Sequence, residues 1–263
     1  MSGFLQKIYD MTKDRVDAAR RMKSTSALKT MPLYARTPAP VIPAFQTGGY
    51  HVIAEVKFAS PSEGDIRPVH DPVDVARGYL AADARMLSVL TEPRYFKGSL
   101  DYLAAIRAAA PDALLLRKDF ICDAYQLHEA RAHGADAILL IVAMTDDALT
   151  KDLLQTAISL GLTPLVEVHD SDEMTRAQNM GAQMIGVNNR NLKTLKTSLD
   201  TSRRIAPMKK DGSVLICESG LSTAAQLGEM RSLGYDGFLM GTHFMRQPNP
   251  GEGLAALLKD CAE

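Results

Sequence analysis

Tryptophan is absent, cysteine is scarce and neither sign of charge outweighs the other, and each shortage removes a class of protein. The three cysteines, Cys122, Cys217 and Cys261, are odd in number, far apart and in no CxxC pair. Neither a disulfide framework nor a zinc site is expected of them, and a reducing compartment fits. A net charge of −1 and a pI near 6.6 give no electrostatic footprint for nucleic acid or an anionic membrane. Any phosphate must therefore be held by a local site. The longest strongly apolar stretch, Ala137 to Met144, falls far short of the roughly 20 residues a membrane span needs. The N-terminus lacks a signal peptide's apolar centre, and Lys7, Lys13 and Arg15 alternate with Asp10, Asp14 and Asp17, unlike an acid-poor transit peptide. The expected location is the cytoplasm.

What is present is regular. The 263 residues, 46% hydrophobic and 23% charged, are close to the roughly 250 of one α/β barrel. Eight short apolar runs recur at His51–Val56, Met86–Leu90, Leu114–Leu116, Ala137–Val142, Thr163–Val168, Met184–Val187, Ser213–Cys217 and Gly237–Met240. Between them, apolar residues at three- and four-residue intervals predict helices over Pro72–Ala82, Leu100–Ala109, Ala124–His133, Asp146–Leu160, Ser171–Met180, Leu199–Ile205, Ser222–Leu233 and Gly253–Cys261. Asp71, Ser99, Asp123, Thr145, Asp170 and Ser222 are the expected N-caps, and Gly134, Gly161, Gly181 and Gly234 the expected stops. Such alternation predicts a parallel sheet, and about eight units favour a closed (β/α)8 TIM barrel. No GxGxxG turn follows the first run, which argues against a dinucleotide fold.

Residues 1–48 are expected to form an N-terminal helical extension packed on the barrel, and residues 49–263 the catalytic barrel. Phe4, Leu5, Ile8 and Met11 make an apolar stripe on a helix, while Pro32 to Pro43 is too proline-rich to be regular. The extension is either a plug beneath the barrel or a lid near its mouth.

Several runs stop at a charged or polar residue, and in a closed parallel barrel the strand ends converge on one mouth. Alternation puts Glu55 and Lys57 on one face. The parity that points Leu114 and Leu116 inward points Lys118 inward too, with Arg117 toward the helices. Glu167, Asn188 and Glu218 end the fifth, sixth and seventh runs in the same way. Two lysines, three carboxylates and an amide in one mouth are the makings of acid–base chemistry, with Lys118 a general acid whose pKa is expected to be drawn toward neutrality by desolvation. Glu218-Ser219-Gly220-Leu221 and Met240-Gly241-Thr242 follow strands seven and eight, where this fold commonly binds phosphate, and Gly220 and Gly241 leave room for a close approach. His128 and His133, five apart, lack ligand spacing and are expected at the surface. Cys217 has the wrong parity for the lumen, and His169 and His243 are weaker site candidates in loops.

The order of these segments resembles the indole-3-glycerol-phosphate synthase family. Glu55-Val-Lys57 with Ser60-Pro-Ser62 and Gly64 carries the resemblance, followed by Ser88-Val-Leu-Thr-Glu92, Tyr95-Phe-Lys-Gly-Ser99, Arg117-Lys-Asp-Phe120, Leu165-Val-Glu-Val168, Ile185-Gly-Val-Asn-Asn-Arg-Asn-Leu192, Glu218-Ser-Gly220 and Phe238-Leu-Met-Gly241. The resemblance implies a carboxy-lyase of tryptophan biosynthesis that closes 1-(2-carboxyphenylamino)-1-deoxyribulose 5-phosphate to indole-3-glycerol phosphate, without metal or cofactor. It implies Lys118 as the acid on the ribulose carbonyl, and Lys57, oriented by Glu55, as an anion contact or the dehydration acid. Glu167 handles the proton lost on aromatisation, Asn188 and Glu218 hold hydroxyls, and Arg190 holds the substrate carboxylate or the loop around it. Ser60, Ser219, Gly220, Gly241 and Thr242 form the phosphate cradle. A small phosphorylated substrate, no nucleic acid, no membrane and a monomer or weak homo-oligomer are the implied partners.

Phe58 and Glu63 stand where relatives often carry basic residues, so the first loop is less positive than usual. No second barrel is fused to the chain, which resembles the stand-alone form. Two rivals fit less well. The isomerase that makes this substrate calls for a Cys at the end of strand one, where this chain has Lys57. A barrel that only binds phosphorylated ligands would be expected to have lost Lys57, Lys118 or Glu167, and all three are present.

Overall fold

Apolar runs too short to stand alone close on one another in the structure, a computed structural model that describes residues 3–69 and 71–262. Met1, Ser2, His70 and Glu263, which the expected spans include, lie outside the described residues. Strands β1 (Val52–Val56), β2 (Met86–Leu90), β3 (Leu115–Lys118), β4 (Ala137–Ile141), β5 (Thr163–Val168), β6 (Met184–Asn188), β7 (Val214–Glu218) and β8 (Gly237–Met240) pair in parallel in chain order. The last pairs back onto the first, Val52 opposite Phe238 and Ala54 opposite Met240, and closes the barrel. Helices α1 (Gly3–Met22), α2 (Thr25–Lys29) and α3 (Ile42–Phe45) precede it. One helix follows each of the first seven strands: α4 (Pro72–Ala81), α5 (Leu100–Ala109), α6 (Ala124–Ala132), α7 (Asp147–Ser159), α8 (Ser171–Asn179), α9 (Asp200–Ile205) and α10 (Ala224–Ser232). The short α11 (Thr242–Met245) and α12 (Pro250–Ala262) follow β8. Among the described residues no helix is long and apolar enough to cross a membrane.

Strand parity sorts the core into two shells. Ile53, Leu116, Leu139, Leu165 and Ile216 fill the lumen, while their neighbours Val52, Leu115, Leu140, Val166 and Leu215 pack outward on the helices. Asp71, Ser99, Asp123 and Asp170 cap their helices as expected, each accepting a backbone N–H of the first turn. Two caps lie one residue later than the sequence suggests. Asp146 caps α7 because Thr145 bonds the Thr150 hydroxyl instead, and Thr223 caps α10 through a reciprocal pair with Gln226. The four expected stops all have positive φ.

The N-terminal segment reaches both ends of the barrel. Phe45 of α3 and the neighbouring Val41 plug the lower end of the lumen, where Gly237 makes room: a Cβ there would meet Phe45 Cδ1 at 2.8 Å. The proline-rich stretch above α3 is less irregular than expected, since Pro32–Ala35 form a 3-10 turn. Helix α1 climbs the outside on a buried stripe of Leu5, Ile8, Thr12 and Val16, and Phe4 and Leu5 reach the mouth. Two buried aspartates tie the segment down. Asp119 pairs with Arg15 at 2.7 Å and Arg117 at 3.1 Å, and Asp136 with Arg36 at 2.7 Å and Arg107 at 2.6 Å. Because this segment covers α6, His128 is half-buried rather than at the surface, its Nδ1 2.6 Å from the Tyr34 hydroxyl. His133 is also half-buried, bonded through Nδ1 to the Glu129 carbonyl at 2.7 Å.

Candidate active site at the barrel mouth

All the site residues singled out from the sequence border one cleft at the C-terminal ends of the strands. Parity delivers them as expected: Glu55 one residue before the end of β1 and Lys57 just past it, Lys118 at the end of β3, Glu167 near the end of β5, Asn188 ending β6 and Glu218 ending β7. Arg117 faces outward, as expected, onto Asp119, Glu129 and the Gln126 carbonyl. Cys217 likewise packs outside the lumen.

Two ionic groups occupy the mouth. Lys57 Nζ lies 2.7 Å from Glu55 Oε1, and the Ser88 hydroxyl donates to Glu55 Oε2 at 3.3 Å. Burial works to raise the Glu55 carboxyl, but Lys57 and Lys118 outweigh it and hold it below its ordinary value. Across the lumen Lys118 Nζ sits 3.6 Å from Glu167 Oε2 and 3.6 Å from Glu218 Oε2. Desolvation lowers the affinity of Lys118 for its proton, yet Glu218, Glu167 and Glu55 together raise it above its ordinary value. This corrects the expectation of a lysine drawn toward neutrality: three carboxylates around one ammonium overturn the effect of burial.

The two glutamates beside Lys118 differ sharply. Glu167 is held down to about 2 because Lys118, His169 and Asn188 overcome its burial. Glu218 is pushed up to about 8, first by burial and then by the charges of Glu167 and Glu55, which Lys118 only partly offsets. Its Oε1 is buried with no hydrogen-bond partner among the described residues, in a niche that exists because Gly186 lacks a Cβ. Two close carboxylates sharing one cation keep one proton between them.

The sequence understated His169. It is half-buried just beyond β5, Nε2 3.2 Å from Glu167 Oε1 and Nδ1 3.1 Å from Glu173 Oε2. The approach to Glu167 is that of an ion pair and not of an aligned hydrogen bond. Burial opposes the imidazolium, but the two carboxylates raise its pKa to about 10. The sequence also gave no role to an apolar wall, on which Leu90, Phe96, Phe120 and Leu221 face the charged groups. Phe96 and Phe120 sit inside segments that stood out for their charged residues, and their rings lie 6.0 Å apart. The Glu92 carboxylate accepts the backbone N–H groups of Arg94, Tyr95 and Phe96 and so sets this wall's position.

At the rim, Ser60, Ser219, Gly220, Gly241 and Thr242 come together from three loops. Ser219 and Gly220 both take the left-handed conformation, at φ 65 and φ 84. Gly241 is needed for a reason the sequence did not suggest: a Cβ would stand 2.6 Å from Glu55 Oε1 and displace that carboxylate. The Arg190 side chain donates to the Leu195 carbonyl at 3.4 Å and its backbone N–H donates to Asn188 Oδ1, so it braces the loop after β6. The adjacent Asn189 is buried and ties that loop to Ser202 and to the Glu218 and Ser219 carbonyls. His243 borders the cleft and stacks edge-on against Phe244. Phe58, at the less positive first loop, is buried against Tyr102, and Glu63 pairs with Arg246.

Fold and site together define a (β/α)8 barrel whose acid–base groups converge on a single C-terminal mouth with an apolar wall. Known proteins place it more narrowly. The sequence model of indole-3-glycerol phosphate synthase matches residues 5–257. Proteins of that name are 44% identical over 256 residues in Salinibacter ruber, covering 97% of this chain and 95% of the relative, and 46% identical over 246 residues in Mycolicibacterium gilvum, covering 93% and 90%. Among solved structures, 3-hexulose-6-phosphate synthase from Salmonella typhimurium superposes with a TM-score of 0.63 at 13% identity, covering 81% of this chain and 98% of that one. Thiamine phosphate pyrophosphorylase from Pyrococcus furiosus does so at 0.60 and 17%, covering 81% and 95%. These two share the fold. The chain belongs to the indole-3-glycerol phosphate synthase family.

Proposed function

We propose that the mouth carries out the reaction for which the family is named. It closes 1-(2-carboxyphenylamino)-1-deoxyribulose 5-phosphate to indole-3-glycerol phosphate with loss of CO2 and water, a carboxy-lyase step of tryptophan biosynthesis. The observation that carries this reading is one ammonium, Lys118, set 3.6 Å from each of two buried glutamates, opposite an apolar wall. Each step is a proton transfer, a carbon–carbon bond change or the loss of a hydroxyl as water, which the carbonyl and the arylamine activate themselves, so side chains suffice without a cofactor.

The ring carbon bearing the carboxylate attacks the ribulose carbonyl carbon, and the developing alkoxide takes a proton from Lys118. An alkoxide is a far stronger base than an amine, so the transfer is favourable although the pKa of Lys118 is raised. The carboxylate then leaves as CO2 and returns its electron pair to the ring. In the dehydration the hydroxyl departs as water with a proton from Lys57, which Glu55 orients, and Glu167 takes the proton released as the new ring becomes aromatic. Asn188 and the protonated Glu218 hold the ribulose hydroxyls, and Arg190 fixes the loop beside the carboxylate. Ser60, Ser219, Gly220, Gly241 and Thr242 receive the phosphate, with the start of α11 aimed at it.

Incubation with the synthetic anilino-ribulose phosphate tests the reading. The sequence holds no tryptophan, so indole emission would rise against tyrosine alone. Substrate left unchanged at micromolar enzyme removes the proposal.

A further inference from the structure

Glu167 and Glu218 are chemically identical, both buried, and each lies 3.6 Å from the same nitrogen of Lys118. The ammonium they share stands equally far from both. The asymmetry lies behind them. Glu167 Oε1 faces His169 Nε2 at 3.2 Å, whereas Glu218 Oε1 faces no hydrogen-bond partner among the described residues. The imidazole is pinned from its other end by Glu173, whose Oε2 receives both His169 Nδ1 at 3.1 Å and the His169 backbone N–H at 2.8 Å. Glu173 is itself fixed in the first turn of α8, its N–H donating to the capping Asp170 at 2.9 Å. With a carboxylate against each ring nitrogen, a neutral tautomer would set a bare lone pair against one of them, and the imidazolium does not.

We propose that His169 is a positioning residue that selects which of the two glutamates beside Lys118 bears the negative charge, and so makes Glu167 the base of the reaction. The inference rests on the family reaction proposed above. The groups facing this unit are Glu173 from α8 on the imidazole, and Lys118 from β3, Asn188 from β6 and Glu218 from β7 on the far side of Glu167. Of these, Asn188 and the His169–Glu173 arm bear on Glu167 and not on Glu218, and only the arm brings a positive charge to it. A proton left between two like carboxylates goes to the one with less compensating charge, which is Glu218.

The test uses the whole enzyme and two readouts. Infrared difference titration of ligand-free protein carrying carboxyl-labelled glutamate follows protonation directly, with Glu218→Gln assigning the bands. In wild type the Glu167 band titrates in strong acid and that of Glu218 near neutrality. In His169→Gln the Glu167 band moves up by one pH unit or more. The acid limb of kcat moves with it, about a tenfold loss of active enzyme per pH unit on that limb, while KM stays within about twofold. Glu173→Gln keeps an acceptor for the backbone N–H and so keeps the fold; it shifts the same limb in the same direction by less. If band and limb stay in place in both variants, His169 only packs and the proposal falls. Wild-type enzyme that forms no indole would overturn the family reaction instead, and the infrared titration would still judge His169.

Discussion

A lysine ringed by glutamates is an acid by geometry, because those carboxylates outweigh the lowering effect of its burial. Glu218, Glu167 and Glu55 strengthen Lys118's hold on its proton, so its contribution is to meet a developing alkoxide with a charge already in place. Lys118→Met is therefore expected to lower kcat by about 10²–10⁴-fold while the protein stays folded, since burial favours the neutral form of Glu218 and His169 stands against Glu167. Glu167→Gln keeps the shape and loses the base, and should depress kcat with KM little changed. Steady-state kinetics on both variants, with circular dichroism as the folding control, separate the roles. Activity within tenfold of wild type for Lys118→Met would take it out of the chemistry, and a change confined to KM would make Glu167 a binding residue.

The loop between β7 and α10 shows what an element adds to its residues. Ser219 is a non-glycine residue in the left-handed region, held there as Asn189 donates to its carbonyl at 3.1 Å, and such a conformation costs on the order of 1 kcal/mol. Strain kept at a rim where phosphate is proposed to bind is the mark of a loop shaped for its ligand. Ser219→Gly is expected to raise Tm by roughly 2–4 °C and to weaken competition by inorganic phosphate. Calorimetry and inhibition titrations give the two signs, and a variant that is both less stable and equally inhibited would contradict the account. This loop also marks the limit of what was legible in the sequence. Strand parity alone placed Glu55, Lys57, Lys118, Glu167, Asn188 and Glu218 in one mouth, because a period of two leaves no freedom once a strand is given. His169 lies beyond the end of β5, where parity lapses, and its role depends on Glu173 of the next helix. The reason for Gly241 was equally hidden, since Glu55, 186 residues away in sequence, supplies the collision. The two displaced caps, at Asp146 and Thr223, were missed because Thr145 and Ser222 found other partners.

Across the whole molecule, the buried ionisable groups set a pH profile with two slopes. Glu167 and Asp119 are both held down to about 2 against ordinary values of 4.5 and 3.8, Asp119 by Arg15 and Arg117 against its burial. Their stabilisation is present above those ordinary values and is lost as pH falls toward 2. Glu218, raised from 4.5 to about 8, and His169, raised from 6.5 to about 10, act in the opposite sense. Each contributes fully below its ordinary value, and that contribution is lost as pH climbs through the raised one. Thermal unfolding should therefore be highest near pH 5, falling toward pH 2 and again, more gradually, toward pH 10. Glu218→Gln should flatten the stretch between about 4.5 and 8, and a slope left unchanged there would deny Glu218 its shifted proton. The plug beneath the lumen has a consequence in time. Phe45 and Val41 leave the ribosome early, yet the β8 glycine against which Phe45 packs, Gly237, is made about 190 residues later. At about 5–20 residues per second that is roughly 10–40 s during which an apolar floor has no barrel to close. The ring shuts only when β8 reaches β1, so the nascent chain must be kept from aggregating by its own charged helices or by a chaperone until β8 is synthesised.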